Sequence, residues 1–231
     1  MALPLQLQHL EHKLKLVDVA RPAPLYAPGL MTGWQGLDVV LEGRGLPKGV
    51  VELCAQHGRG GATSVALSAV RAAQRASLVA WCAWLDPEAN LYAPGVALSG
   101  VAPERLLVVR PPRVQLLRTA LRVVRAAAFE VVVVDMEPPS SDPAPSDVRA
   151  AVELEHTVRK LSLLAEESSV TVLLLSNASV RRRAPLPVVL RLELCRRPEE
   201  LCVRVAKDKR SVHTKEQSLR WSDRPQGLFV V

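Results

Sequence analysis

GVVELCAQHGRGGATSVALSAVRAAQR, residues 49–75, is the stretch on which the fold turns. Gly49–Cys54 is apolar apart from Glu52 and reads as a strand. His57–Gly61 packs three glycines into five residues and reads as a turn, and Ala62–Arg75 reads as a helix. Strand, glycine turn and helix in that order frame a phosphate-gripping loop, because glycines let backbone amides face an anion at a helix N-terminus. The groups that grip are missing. A working loop follows GxxxxGK[ST], in which the lysine reaches the β- and γ-phosphates and the hydroxyl holds magnesium. In that register Ala55 stands at the first glycine, Gly60 at the second, Gly61 at the lysine and Ala62 at the hydroxyl. Shifted by one, Thr63 supplies the hydroxyl, but Ala62 takes the lysine's place. Arg59 lies inside the turn with a different reach. Losing one charge-assisted phosphate contact costs about 1.5–3 kcal/mol in binding. The loss is larger where those groups neutralise charge that develops during transfer.

Outward from this unit the pattern alternates. Leu78–Leu85 reads as a buried strand, Leu106–Val109 as a short one and Val114–Ala128 as a helix. Val131–Val134 is apolar and β-branched, as in a strand covered on both faces. Glu137–Ser146 (EPPSSDPAPS) is a Pro/Ser-rich loop, a helix follows over Asp147–Glu167 with Ser146 or Asp147 as its cap, and Val170–Leu175 is another buried strand. Such β-α-β-α units predict an α/β fold, a mainly parallel sheet flanked by helices. Val188–Leu194 and Leu201–Val205 then flank RRPEE and alternate with period two, which predicts a C-terminal antiparallel hairpin extension. Ser218–Trp221 and Gly227–Val231 are candidates for final short strands. Before all this, residues 1–29 hold a short amphipathic helix (Leu5–Leu16) and a connector with Pro22, Pro24 and Pro28; residues 30–231 form the core domain.

At 231 residues and 48% hydrophobic, the chain has enough apolar material for one core without disulfide or metal staples. No apolar run approaches the ~18–20 residues of a membrane span, and the first sixteen residues do not resemble a secretory leader. Cys54, Cys82, Cys195 and Cys202 lack CxxC spacing and read as structural thiols in a reducing compartment. Eight aromatics are too few for a base-stacking surface; Trp34, Trp81, Trp84 and Trp221 are expected in packing roles. The charge is lopsided. From Arg181 onward there are thirteen Lys or Arg against six Asp or Glu, and everything before sums to zero. A basic C-terminal quarter suits an anionic partner, DNA or an acidic protein face.

Carboxylates stand where nucleotide-hydrolysing folds place catalytic ones. Asp135 ends VVVVD, and Asp86 and Glu88 follow LVAWCAWL. In this order the segments resemble the ATPase core of the RecA recombinase family. Leu30–Ala55, with T-G, G-L-D and G-L-P-x-G, is similar to that family's lead-in to its first core strand. WLDPEA puts Glu88 at the catalytic glutamate, VVVVD puts Asp135 at the second nucleotide motif, and LLLSN puts Asn177 at the nucleotide-sensing glutamine. Val203–Lys209 (VRVAKDK) puts Lys207 and Lys209 at two lysines that reach across a subunit interface. The resemblance thus implies a RecA-like core with a degenerate nucleotide site at Gly58, Arg59, Gly60, Gly61, Thr63, Glu88, Asp135 and Asn177.

The departures narrow it. The phosphate turn has lost lysine and hydroxyl, and the family's first DNA loop falls on acidic EPPSSDPAPS. The second falls on ASVRRRAPLP, which keeps Arg181, Arg182 and Arg183. Such a chain resembles the ImuA family, accessory proteins of a bacterial damage-inducible (SOS) mutagenesis system. That resemblance implies a non-catalytic adaptor in translesion DNA synthesis, located in the cytoplasm at the nucleoid. Its partners would be an ImuB-like Y-family polymerase homologue, an error-prone C-family DNA polymerase, the RecA recombinase and DNA, directly or through a partner. Contacts are expected at Arg181, Arg182, Arg183, Lys207, Lys209 and Arg210. No resident cofactor, metal or membrane is expected. The alternatives are a DNA-stimulated ATPase using Arg59 and Glu88, with ATP and magnesium, or a SulA-like cell-division inhibitor.

Overall fold

In the computed structural model the described residues are 29–56, 61–136, 148–178, 185–210 and 216–223. Eight strands form one sheet in the order β3-β2-β4-β5-β1-β6-β7-β8. They are β1 (Gly49–Ala55), β2 (Cys82–Leu85), β3 (Leu106–Val109), β4 (Val131–Asp135), β5 (Thr171–Asn177), β6 (Leu190–Arg196), β7 (Glu200–Asp208) and β8 (Glu216–Arg220). The first six run parallel, and β7 and β8 are added antiparallel. This is the expected RecA-like α/β architecture with its antiparallel extension.

Helices cover the sheet on both sides: α1 (Gln35–Val40), α2 (Ala62–Ala76), α3 (Ala93–Leu98), α4 (Leu116–Arg125) and α5 (Val148–Glu167). Alternation along the strands divides the core. Val51, Leu53, Val131, Val133, Leu173 and Leu175 pack with α2, whereas Val50, Val132, Val134, Val172 and Leu174 pack with α4 and α5. Continuous apolar strands are what burial on both faces requires. The G-L-D of the lead-in forms α1, whose Asp38 carboxylate accepts from the Thr32 amide and hydroxyl, both at 2.8 Å, and from the Gly33 amide at 3.1 Å. Ser68 of α2 then donates to the Thr32 carbonyl at 2.8 Å, tying the lead-in to the core.

Three expectations need correction. The strand expected over Leu78–Leu85 begins only at Cys82, because Leu78 and Val79 occupy a turn and stand 86% and 82% exposed. Arg105 organises that turn by donating to the carbonyls of Gln74, Ser77 and Leu78 at 3.0–3.3 Å. Trp81 is accordingly exposed, while Trp34, Trp84 and Trp221 are buried. The helix expected over Val114–Ala128 is shorter, since a 3₁₀ turn opens it at Arg113–Gln115 and Ala127 leaves it at φ 50°. The short helices α1 and α3 were not expected from periodicity. The described residues begin at Gly29, so all but the last residue of the segment expected over 1–29 lies outside them. The Leu5–Leu16 helix, most of the proline connector, the Glu137–Ser146 loop with the α5 cap, and Gly227–Val231 lie outside them. Among the described residues no helix is long and apolar enough to cross a membrane.

Candidate functional site

The candidate site lies at the C-terminal edge of the parallel strands, where β1 runs into the glycine turn. Pairing places Ala55 opposite Asn177 and Asp135 opposite Leu175. By alternation Ala55, Asn177 and Asp135 share the α2 face and come together at the mouth of the turn. Ala178 continues the edge by donating its amide to the Ala55 carbonyl at 2.7 Å. Gly58, Arg59 and Gly60 are outside the described residues, as are Arg181, Arg182 and Arg183.

Gly61 stands at the N-terminus of α2 with φ 70°, in the left-handed region. A Cβ at this position would sit 3.0 Å from Leu201 Cδ1 and 3.1 Å from Trp221 Cη2. The lysine slot of the first register is therefore roofed by the C-terminal extension. Trp221 is pinned there by an indole N–H bond to the Arg197 carbonyl at 3.1 Å and by a tilted contact with Trp34, ring centroids 5.6 Å apart. The second register fares no better: Ala62 is buried in the core and Thr63 is half-buried.

The two carboxylates after β2 have separate tasks. Asp86 is fully buried and accepts from the amides of Asn90 at 2.9 Å and Leu91 at 3.1 Å, so it caps its own loop. Glu88 is bound by the Arg113 guanidinium at 3.0 Å, and the same guanidinium donates to the Met136 carbonyl at 3.0 Å. Arg113 thereby joins the glutamate to the end of β4. No motif flags Arg113, since the residues it links are 25 and 23 positions away in sequence.

The C-terminal cations lie elsewhere. Because β7 is antiparallel, Lys207 is opposite Arg191, level with Glu52, and Lys209 lies beyond it, toward the edge away from the glycine turn. The Lys207 ammonium donates to the Leu186 carbonyl at 3.4 Å, and burial together with Lys209 holds its pKa below the usual lysine value. Lys209 is exposed. Arg210 corrects its expectation as a DNA contact. Its side chain is 2% exposed, bonded twice to Asp208 at 3.0 Å and to the Gly45 carbonyl at 2.9 Å. A cation so enclosed braces the fold and offers no face to an external anion. Across the sheet runs a polar row unseen in the sequence: Glu52, fully buried, accepts from Ser176 at 2.7 Å and pairs with Arg191 at 3.5 Å, which also reaches Glu193. Among the described residues no group of three His, Cys, Asp or Glu could hold a metal ion.

Protein RecA of Kineococcus radiotolerans is 38% identical over 124 residues, 53% of this chain and 34% of that protein. Protein RecA of Rhodospirillum centenum is 36% identical over 118 residues, 50% and 32% of the two chains. Protein RecA of Pseudomonas fluorescens is 37% identical over 110 residues, 47% and 31%. The matched stretch spans about a third of the length of these curated relatives. The family model for the RecA N-terminal domain matches residues 19–144, more than half of the chain, and on that stretch and the strand order around it this chain belongs to the RecA N-terminal domain family.

Proposed function

We propose that the chain is a non-hydrolysing RecA-like adaptor in DNA repair, of the ImuA kind. It serves SOS-induced translesion synthesis beside an ImuB-like protein, an error-prone C-family polymerase and the RecA recombinase. The observation that carries this reading is Gly61. The place where a phosphate-binding lysine would start is held in a left-handed backbone and closed by Leu201 and Trp221. The engagement of Glu88 with Arg113 supports it further, because a carboxylate held by a guanidinium is poorly placed to activate water. The described residues do not fit a magnesium–triphosphate pair: Asp135 and Asn177 line the mouth, but neither register supplies the lysine. The scaffold is kept, on this reading, as a platform for protein and DNA contacts, with Arg181, Arg182 and Arg183 following β5 in the sequence.

Phosphate release with and without single-stranded DNA tests the catalytic half. Background release is expected, and turnover abolished by Glu88→Gln would overturn the reading. Fluorescence anisotropy tests the other half. Single-stranded DNA is expected to bind with an affinity that falls steeply with salt. Replacing Arg181–Arg183 with alanine should flatten the log–log salt slope by about 2, at ~0.7 per phosphate contact. An unchanged slope removes the triplet from the interface and leaves contact through a partner.

A further inference from the structure

Pairing of β6 with β7 places Cys195 directly opposite Cys202. Leu194, Leu201 and Val203 point into the α2 core, so alternation turns both cysteines to the opposite face. There they line a surface cavity of about 410 Å³ with Cys54, Arg191, Arg204 and Gln56. Cys195 is exposed, and Cys202, although buried, has a soft partner at its sulfur, the Ser218 hydroxyl at 3.4 Å. The other two thiols are differently placed. Cys54 is buried on β1 opposite Glu193, a diagonal neighbour of Cys195 one strand away. Cys82 is buried on the α2 face, where desolvation pushes its pKa up to about 12 and keeps it inert.

We propose that Cys195 and Cys202 form a redox modification site that closes reversibly into a cross-strand disulfide by exchange with a small-molecule disulfide. Directly opposed Cβ atoms in an antiparallel pair lie about 4.5–5.5 Å apart. A disulfide needs about 3.5–4.5 Å. The strands must therefore approach by about 1 Å, and the bond stores strain that makes it easy to reduce. The loop it closes is short, so the bridge removes somewhat less unfolded-chain entropy than one that closed a long loop. Both points favour a switchable bond over a structural staple. The exchange balances. The exposed Cys195 thiolate attacks one sulfur of R–S–S–R, forming the mixed disulfide and releasing RS⁻. Cys202 then loses its proton and attacks the Cys195 sulfur, expelling the second RS⁻. Two protein thiols are oxidised, and one external disulfide is reduced to two thiols. The site stands on cysteine geometry alone and does not depend on the adaptor reading.

The test uses the full chain, reduced, freed of reductant and treated with oxidised glutathione. Thiol titration in denaturant is expected to fall from the four cysteines of the chain to two. The mass should drop by two hydrogens, and the tryptic peptides 192–196 and 197–204 should appear joined. Excess reduced glutathione should restore all four thiols. Cys54→Ser should still lose two thiols, and Cys195→Ser should form no intramolecular bridge. Four thiols persisting, a lasting glutathione adduct on Cys195 without closure, or a bridge to Cys54 or between chains would each overturn the proposal.

Discussion

Gly61 and Arg210 each take their meaning from neighbours far along the chain. At Gly61 a side chain costs about 1–2 kcal/mol for the left-handed backbone and about 1–3 kcal/mol for overlap with Leu201 and Trp221. Gly61→Lys, which restores the missing lysine on paper, is therefore expected to lower unfolding stability by about 2–5 kcal/mol in urea titrations. It should leave phosphate release at background. Arg210→Ala leaves the Asp208 carboxylate, whose side chain is 7% exposed, with the residue 210 amide at 2.8 Å but without its balancing cation, and should cost about 3 kcal/mol. Arg113→Ala breaks an ion pair open to solvent and should stay within about 1 kcal/mol in the same titration. Both arginines look alike in sequence. Enclosure separates them, and enclosure is not a local property.

Among the elements, β7 carries alternating duties that its period-two pattern announces, Leu201, Val203 and Val205 entering the core and Arg204 leaving it, until a register shift opposite Arg191 and Leu192 turns Lys207 out as well. What the pattern does not announce is how deeply a cation is set. With its native pKa held below the usual 10.5, Lys207 gives up its proton in the folded chain before the unfolded chain does. The unfolded state then binds more protons, so this group makes stability rise with pH between the depressed native value and 10.5 and leaves it flat below. Urea midpoints compared between wild type and Lys207→Met across alkaline pH should differ by that rise; parallel curves would remove the burial argument. The segment LVAWCAWL shows the opposite failure of pattern reading. Eight apolar residues suit a strand, yet sheet pairing starts only at Cys82, and Arg105 gathers the carbonyls ahead of it into a turn.

Over the whole molecule, the extension beyond β6 acts back on the first turn of the fold. Trp221, just past β8, meets Trp34 of the lead-in and closes over Gly61, so the last part of the described chain roofs the start of the core. Trp221→Ala should lower unfolding stability by about 3–5 kcal/mol, the usual cost of deleting a buried aromatic. A change below about 1 kcal/mol in the urea midpoint would show that the roof packs too loosely to close the slot.

Strand order along the chain, the three longer helices, the parallel body, the antiparallel hairpin and the absence of lysine from the phosphate turn were all legible in the chain. Each is written in hydrophobic period or residue identity within a few neighbouring positions. The roof over Gly61, the Arg113 hold on Glu88, the withdrawal of Arg210 from solvent and the meeting of Cys195 with Cys202 were decided only by tertiary structure. Most of these join residues tens of positions apart, and all depend on which neighbour the sheet register and close packing bring against each side chain.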